Sequence, residues 1–170
     1  MAGLPCLYGN ALAEKLRDEI DYSGLGRLLA VTPNAEVNAL VCIRYLEDFG
    51  RKEVYQLAFP AGRKGRHEVL PEGQHGRLPF SKGADFSLLS DVFGSGSRIK
   101  TTPLTKEFDF EAFKAEHGDV AIPLFVLKPQ GALQVCTAEE PPHPSPGDSI
   151  VSIVPGPQHT PPTVGAHAAW

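Results

Sequence analysis

A mixed α/β chain built from two units is what this sequence predicts, and three observations predict it. Short apolar runs alternate with amphipathic stretches of helical length as far as about residue 59, the order that parallel strands with helical crossovers require. A stretch rich in glycine, charge and histidine then interrupts the pattern. Beyond it, several β-type runs are separated by two amphipathic segments, as in an α+β unit.

The elements follow in order. "LPCLYG" (Leu4 to Gly9) reads as a short strand, and Asn10 as the N-cap of a helix "ALAEKLRDEI" in which Leu12, Leu16 and Ile20 recur every four residues. "DYSGLGR" supplies turn residues, and "LLAV" (Leu28 to Val31) is a buried-type strand. A helix then starts near Pro33 and runs to about Phe49, with Gly50 as its C-cap. Its stripe of Val41, Cys42, Tyr45, Leu46 and Phe49 is spaced to pack on a sheet, and polar Asn38 opens that stripe. "EVYQLAF" (Glu53 to Phe59) completes a β-α-β-α-β unit, half of a doubly wound domain, with right-handed crossovers expected. In the second unit "GRLPF" reads as a strand, "DFSLLSDVFGSG" as a helix closed by glycine, "RIKTTPL" as a strand and "DFEAFKAEHG" as a helix. "IPLFVLKPQGALQVCT" holds two β-type runs around Lys128 to Gly131, and "DSIVSIV" is the last strand. The expected boundaries are 1–59, a mobile connection 60–76, a second unit 77–155, and an aperiodic tail 156–170 that reads as disordered.

Composition narrows the function. A net charge of −4 argues against a nucleic-acid surface, which needs clustered positive charge. The exception is local, "GRKGRH" at Gly62 to His67, which reads as a solvated linker, with contact to anionic lipid or an acidic partner as the other reading. Three cysteines, Cys6, Cys42 and Cys136, show neither disulfide nor zinc-type spacing, which fits a reducing, cytoplasmic setting. No apolar run approaches the roughly 20 residues of a membrane helix.

Several chemical motifs are sought and not met. "SGLGRLLA" places Gly24 and Gly26 before a strand, whereas the dinucleotide fingerprint follows one, and no phosphate loop is present. His67, Glu68 and His75 share a loop without the spacing of a metal site. "FGSGSR" lacks the nucleophile elbow, and no nucleophile, base and orienter set is evident. What stands out is Thr32 to Asn38, where a strand hands over to a helix N-terminus and ligands of open sheets bind. Thr32, Asn34 and Asn38 read either as ligand contacts there or as a helix cap and a loop tie.

"AGLPCLYGNAL", "GLGRLLAVTPNAEVNAL" and "FGRKEVYQL" resemble the second half of TrkA-N (KTN/RCK-type) nucleotide-binding domains, particularly those at the cytosolic end of sodium/proton antiporters. "RIKTTPLTKEFDFEAF", "IPLFVL" and "PGDSIVSIV" resemble, more loosely, the small TrkA-C-like domain that follows. The resemblance implies a truncated Rossmann-like unit over 1–59 and a TrkA-C-like α+β domain over 77–155. The family's Gly-Asp facing the adenosine falls on Gly9 and Asn10, with an amide for the acid. Its strand-end Thr and the Asn one turn into the helix fall on Thr32 and Asn38, so Asn38 would be polar because it looks onto a cleft. The family's first half, with GxGxxG and the acidic ribose ligand, has no counterpart here.

The expectation is a non-enzymatic cytoplasmic regulatory module for monovalent cation/proton transport. Its partner would be a membrane cation/proton antiporter, in trans or as a missing upstream part of the same chain, and the module would self-associate. Its candidate ligand is a weakly bound adenine nucleotide or NAD(H), at Gly9, Asn10, Thr32, Asn34 and Asn38. A free-standing assembly or adaptor module, and a nucleotide-dependent enzyme, are the alternatives.

Overall fold

Apolar Leu28, Leu29 and Ala30 form strand β1 (Leu28–Ala30), which pairs in parallel with β2 (Val54–Gln56), Leu28 opposite Val54 and Ala30 opposite Gln56. Parallel strands need a long crossover. It is supplied by helix α1 (Ala35–Arg44) and the single turn α2 (Leu46–Phe49). Tyr45, at ψ 7°, divides the helix expected to run unbroken to Phe49, and Gly50 at φ 78° ends it with its N–H on the Leu46 carbonyl. The computed structural model describes residues 6–14, 20–60 and 76–156, and the chain divides into two units, Met1–Leu78 and Pro79–Trp170.

In the first unit the predicted helix stripe is the core. Val41, Cys42 and Tyr45 are buried with Ala30 and Val54, and Leu46, Phe49, Leu12 and Tyr22 pack around them. Tyr22, Tyr45 and Phe49 meet edge to face or tilted, with centroids 5.8–6.5 Å apart, a favourable geometry for aromatic quadrupoles. Arg77 lies against β2 in parallel: its N–H donates to the Val54 carbonyl at 2.9 Å and its carbonyl accepts from the Gln56 N–H at 3.0 Å. Gly76 permits that approach, since a Cβ there would stand 2.9 Å from the Cys42 Sγ and 3.0 Å from the Gln56 nitrogen.

The second unit is a four-stranded antiparallel sheet in the order β3-β6-β4-β5: β3 (Arg98–Pro103), β4 (Ile122–Leu127), β5 (Leu133–Val135) and β6 (Ser149–Val154). Helices α3 (Phe86–Gly94) and α4 (Phe110–His117) start on Asp85 and Asp109, whose carboxylates accept from Leu88 N–H at 2.8 Å and Ala112 N–H at 2.9 Å. Such caps satisfy donors a helix start leaves open. Phe113 of α4 is buried with Leu104, Val126, Cys136 and Ile150. Gly131 at φ 86° turns the β4–β5 hairpin.

Two expected strands are corrected. Residues 6–9 of "LPCLYG" are not in a strand, with Leu7 57% and Tyr8 103% exposed. Neither side chain finds an apolar surface, and a strand with both faces in water gains too little to order. "GRLPF" forms only single bridges, Arg77 to Tyr55 and Pro79 to Thr137. Pro79 lacks a ladder donor and Phe80, at φ 73°, turns the chain away. Glu14 is helical, whereas residues 15–19 of the expected first helix, the run 61–75 with its basic cluster and histidines, and the tail from 157 lie outside the described residues.

Candidate functional site

The residues singled out at the β1–α1 junction form one hydrogen-bonded unit. The Asn38 side-chain Oδ1 accepts from the Thr32 backbone N–H at 3.1 Å and from the Thr32 hydroxyl at 2.6 Å. Its Nδ2 donates to the Thr32 carbonyl at 2.9 Å. The side-chain amide thus offers Thr32 the acceptor and donor that a neighbouring strand would offer, two residues beyond the end of β1. Burial explains why an amide is needed there: Asn38 is 1% exposed, and leaving such a group unpaired costs about 1–3 kcal/mol.

Asn38 therefore does not look onto an open cleft, which corrects the expectation drawn from the resemblance. Its polarity is used inside the turn. Asn34 is the N-cap of α1, its side-chain oxygen accepting from the Val37 N–H at 3.0 Å and its own N–H donating to the Thr32 hydroxyl at 3.3 Å. Asn38 N–H reaches the Asn34 carbonyl at 3.0 Å. Thr32 and Asn34 are exposed, and the first helical N–H groups, of Ala35 and Glu36, are the ones a helix leaves without a carbonyl of its own. The junction thus places the positive end of the α1 dipole on a clamped backbone, with Glu36 exposed and Ala35 buried behind it.

Gly9 and Asn10 are not brought to this junction by any hydrogen bond among the described residues. Both are exposed, and the Asn10 side chain accepts locally from Leu12 N–H at 2.9 Å. The adjacent Ala11 carbonyl accepts from the Tyr45 hydroxyl at 3.1 Å. That ties the segment to the C-terminal end of α1, about 15 Å of helix from Asn34. The five expected contacts thus separate into the triad Thr32, Asn34 and Asn38, and the pair Gly9 and Asn10.

Two further polar arrangements escaped the sequence reading. Asp148, 4% exposed, accepts on Oδ2 from Lys128 Nζ at 2.7 Å and from the Ser145 N–H at 2.8 Å. An open groove of about 390 Å³ brings Lys106, Asp109 and Glu111 beside His143 and the 144–146 turn. In the sequence they were signalled by the Pro-rich spelling "PPHPSPG" and by the Gly147-Asp148 before the last strand, on which the looser resemblance rests. Burial pushes the thiols of Cys42 and Cys136 up to about 12, in Cys42 against the opposing Gly76 N–H, so neither is a thiolate nucleophile near neutrality. No group of metal-ligating side chains occurs among the described residues, and no helix among them is long and apolar enough to cross a membrane.

Compared with protein-family models, curated proteins and solved structures, the chain matches none.

Proposed function

We propose that this chain is a non-catalytic ligand-sensing module, with the N-terminus of α1 as its recognition point and a membrane cation/proton antiporter as its partner. The observation that carries the reading is the Thr32–Asn38 clamp. It spends a buried side chain on holding the strand-to-helix turn, and so fixes the start of α1 at the carboxyl end of a parallel pair, with Thr32, Asn34 and Glu36 exposed around it. Such a point favours an anionic group and moves no proton or covalent bond.

Adenine nucleotides are the proposed ligand class, their phosphate meeting the helix N-terminus. Support for the truncated Rossmann-like and TrkA-C-like assignments, and for the antiporter partner, comes from the sequence resemblance. The junction is compatible with it: a strand-end threonine and a helix asparagine stand together, though Asn38 acts by positioning Thr32. Without a glycine loop to cradle a pyrophosphate, affinity for AMP or NADH is expected at a dissociation constant of about 1 mM, roughly 4 kcal/mol.

Isothermal titration of AMP and NADH into wild type, Thr32→Ala and Asn38→Ala tests this. Weak binding that both substitutions reduce further supports the reading. Micromolar binding that neither changes would overturn the site.

A further inference from the structure

The antiparallel sheet of the second unit ends on two unlike edges. Beyond β5, Phe80 N–H donates to the Cys136 carbonyl at 2.6 Å and Pro79 bridges to Thr137, so that edge is partly occupied. The other edge is β3, along which Arg98, Ile99, Thr101 and Pro103 are exposed. Which of its backbone groups face outward follows from the ladder. Just past the last β3–β6 pair, Leu104 N–H donates to the Asp148 carbonyl at 2.8 Å and the Leu104 carbonyl accepts from Gly147 N–H at 2.8 Å. Residues that bond a given neighbour alternate along an antiparallel strand. Thr102, Lys100 and Arg98 therefore bond to β6, whereas the N–H groups of Ile99 and Thr101 and the carbonyls of Ile99, Thr101 and Pro103 point away from the sheet. Pro103 stands where a missing N–H removes no ladder bond.

We propose that β3 is a docking edge for an extended segment of a partner protein in which acidic and apolar residues alternate, added as an outer strand. In strand addition the main-chain bonds supply affinity and alternate side chains supply specificity. The side chains of β3 select the occupant. Arg98 and Lys100 share one face of the strand, and neither meets a carboxylate among the described residues. Ile99, 57% exposed, and Thr101 lie on the other face. An incoming strand with carboxylates beside the two cations and an apolar residue beside Ile99 complements both faces. Charge also decides against a second copy. A second β3 would bring its own Arg98 and Lys100 to an edge that already carries two unpaired cations, and basic side chains on an edge oppose such self-pairing.

The probes are two short, end-blocked peptides, one alternating valine with glutamate and the other valine with lysine, added to the full chain while amide hydrogen exchange is followed by NMR. The glutamate peptide is expected to slow exchange at Ile99 and Thr101 several-fold and to leave Lys100 and Thr102, already bonded to β6, unchanged. The lysine peptide is expected to bind about tenfold more weakly, and Arg98→Glu to narrow that gap. Circular dichroism verifies folding, and Lys100→Glu replaces Arg98→Glu if the latter does not fold. Failure of the glutamate peptide to protect Ile99 and Thr101 overturns the proposal, as does equal binding of the two peptides or a preference that the substitution leaves intact. Protection of Ile99 and Thr101 without any peptide overturns it too. If that protection is independent of protein concentration, another part of the chain is the occupant; if it grows with concentration alongside a dimer mass, a second copy is.

Discussion

Asn38 shows how one side chain can stand out in the sequence and still be open to two readings, a cleft contact or a loop tie, of which the hydrogen bonds to Thr32 match the tie. A polar residue opening an apolar helix stripe is an anomaly visible in sequence, but its partner, Thr32, lies six positions back across a turn whose geometry no periodicity encodes. The structure makes the two residues unequal, which is a prediction. Asn38→Ala removes the partner of Thr32 N–H, carbonyl and hydroxyl together and is expected to cost about 2–3 kcal/mol. Thr32→Ala keeps the backbone pair to the amide and is expected to cost about 1 kcal/mol. Urea unfolding of both variants checks the order: equal losses would mean that the backbone bonds contribute nothing.

Among elements, those whose chemistry is local were legible. Asp85 and Asp109 cap helices that they announce, and Lys128 to Gly131 turns the hairpin that its Pro and Gly predict. "LPCLYG" and "GRLPF" were not, because a strand also needs a neighbour and a covered face, and neither is written in six residues. The Lys128–Asp148 tie at the start of β6 was likewise invisible, joining residues 20 apart. Its pH behaviour follows from its surroundings. Burial opposes ionisation of Asp148, but the Lys128 ammonium and the Ser145 N–H outweigh it and hold the carboxyl below its ordinary 3.8. A group more acidic when folded contributes stability that is fully present above its unfolded pKa and is lost as pH falls through the folded value. Unfolding of the second unit should therefore become easier between about pH 5 and pH 2, and Asp148→Asn should flatten that slope. An unchanged slope would show that other carboxylates govern it.

On the scale of the whole molecule, the alternation of apolar runs anticipated three parallel strands with helical crossovers followed by an α+β unit; a parallel pair and a four-stranded antiparallel sheet are present, and residues 6–9 of the expected first strand are not in one. The expected start of the second unit at 77 differs from the division after Leu78, because Arg77 is hydrogen-bonded to β2. That join depends on a residue without a Cβ at 76 and on backbone bonds to Val54 and Gln56, which composition does not reveal. Two small units with separate cores also leave room for recognition at their surfaces. In the first, the clamped N-terminus of α1 is where the side chains of Thr32, Asn34 and Glu36 meet solvent.

The central claim, that this helix N-terminus receives an anionic ligand, is tested most directly by following backbone amide resonances of the full chain while AMP is added. The account predicts that the Ala35 and Glu36 amides move first and furthest, saturating with a dissociation constant of about 1 mM, and that Asn38→Ala abolishes those shifts in a still-folded protein. Stationary Ala35 and Glu36 amides at several times that concentration would contradict it, and so would shifts confined to the second unit.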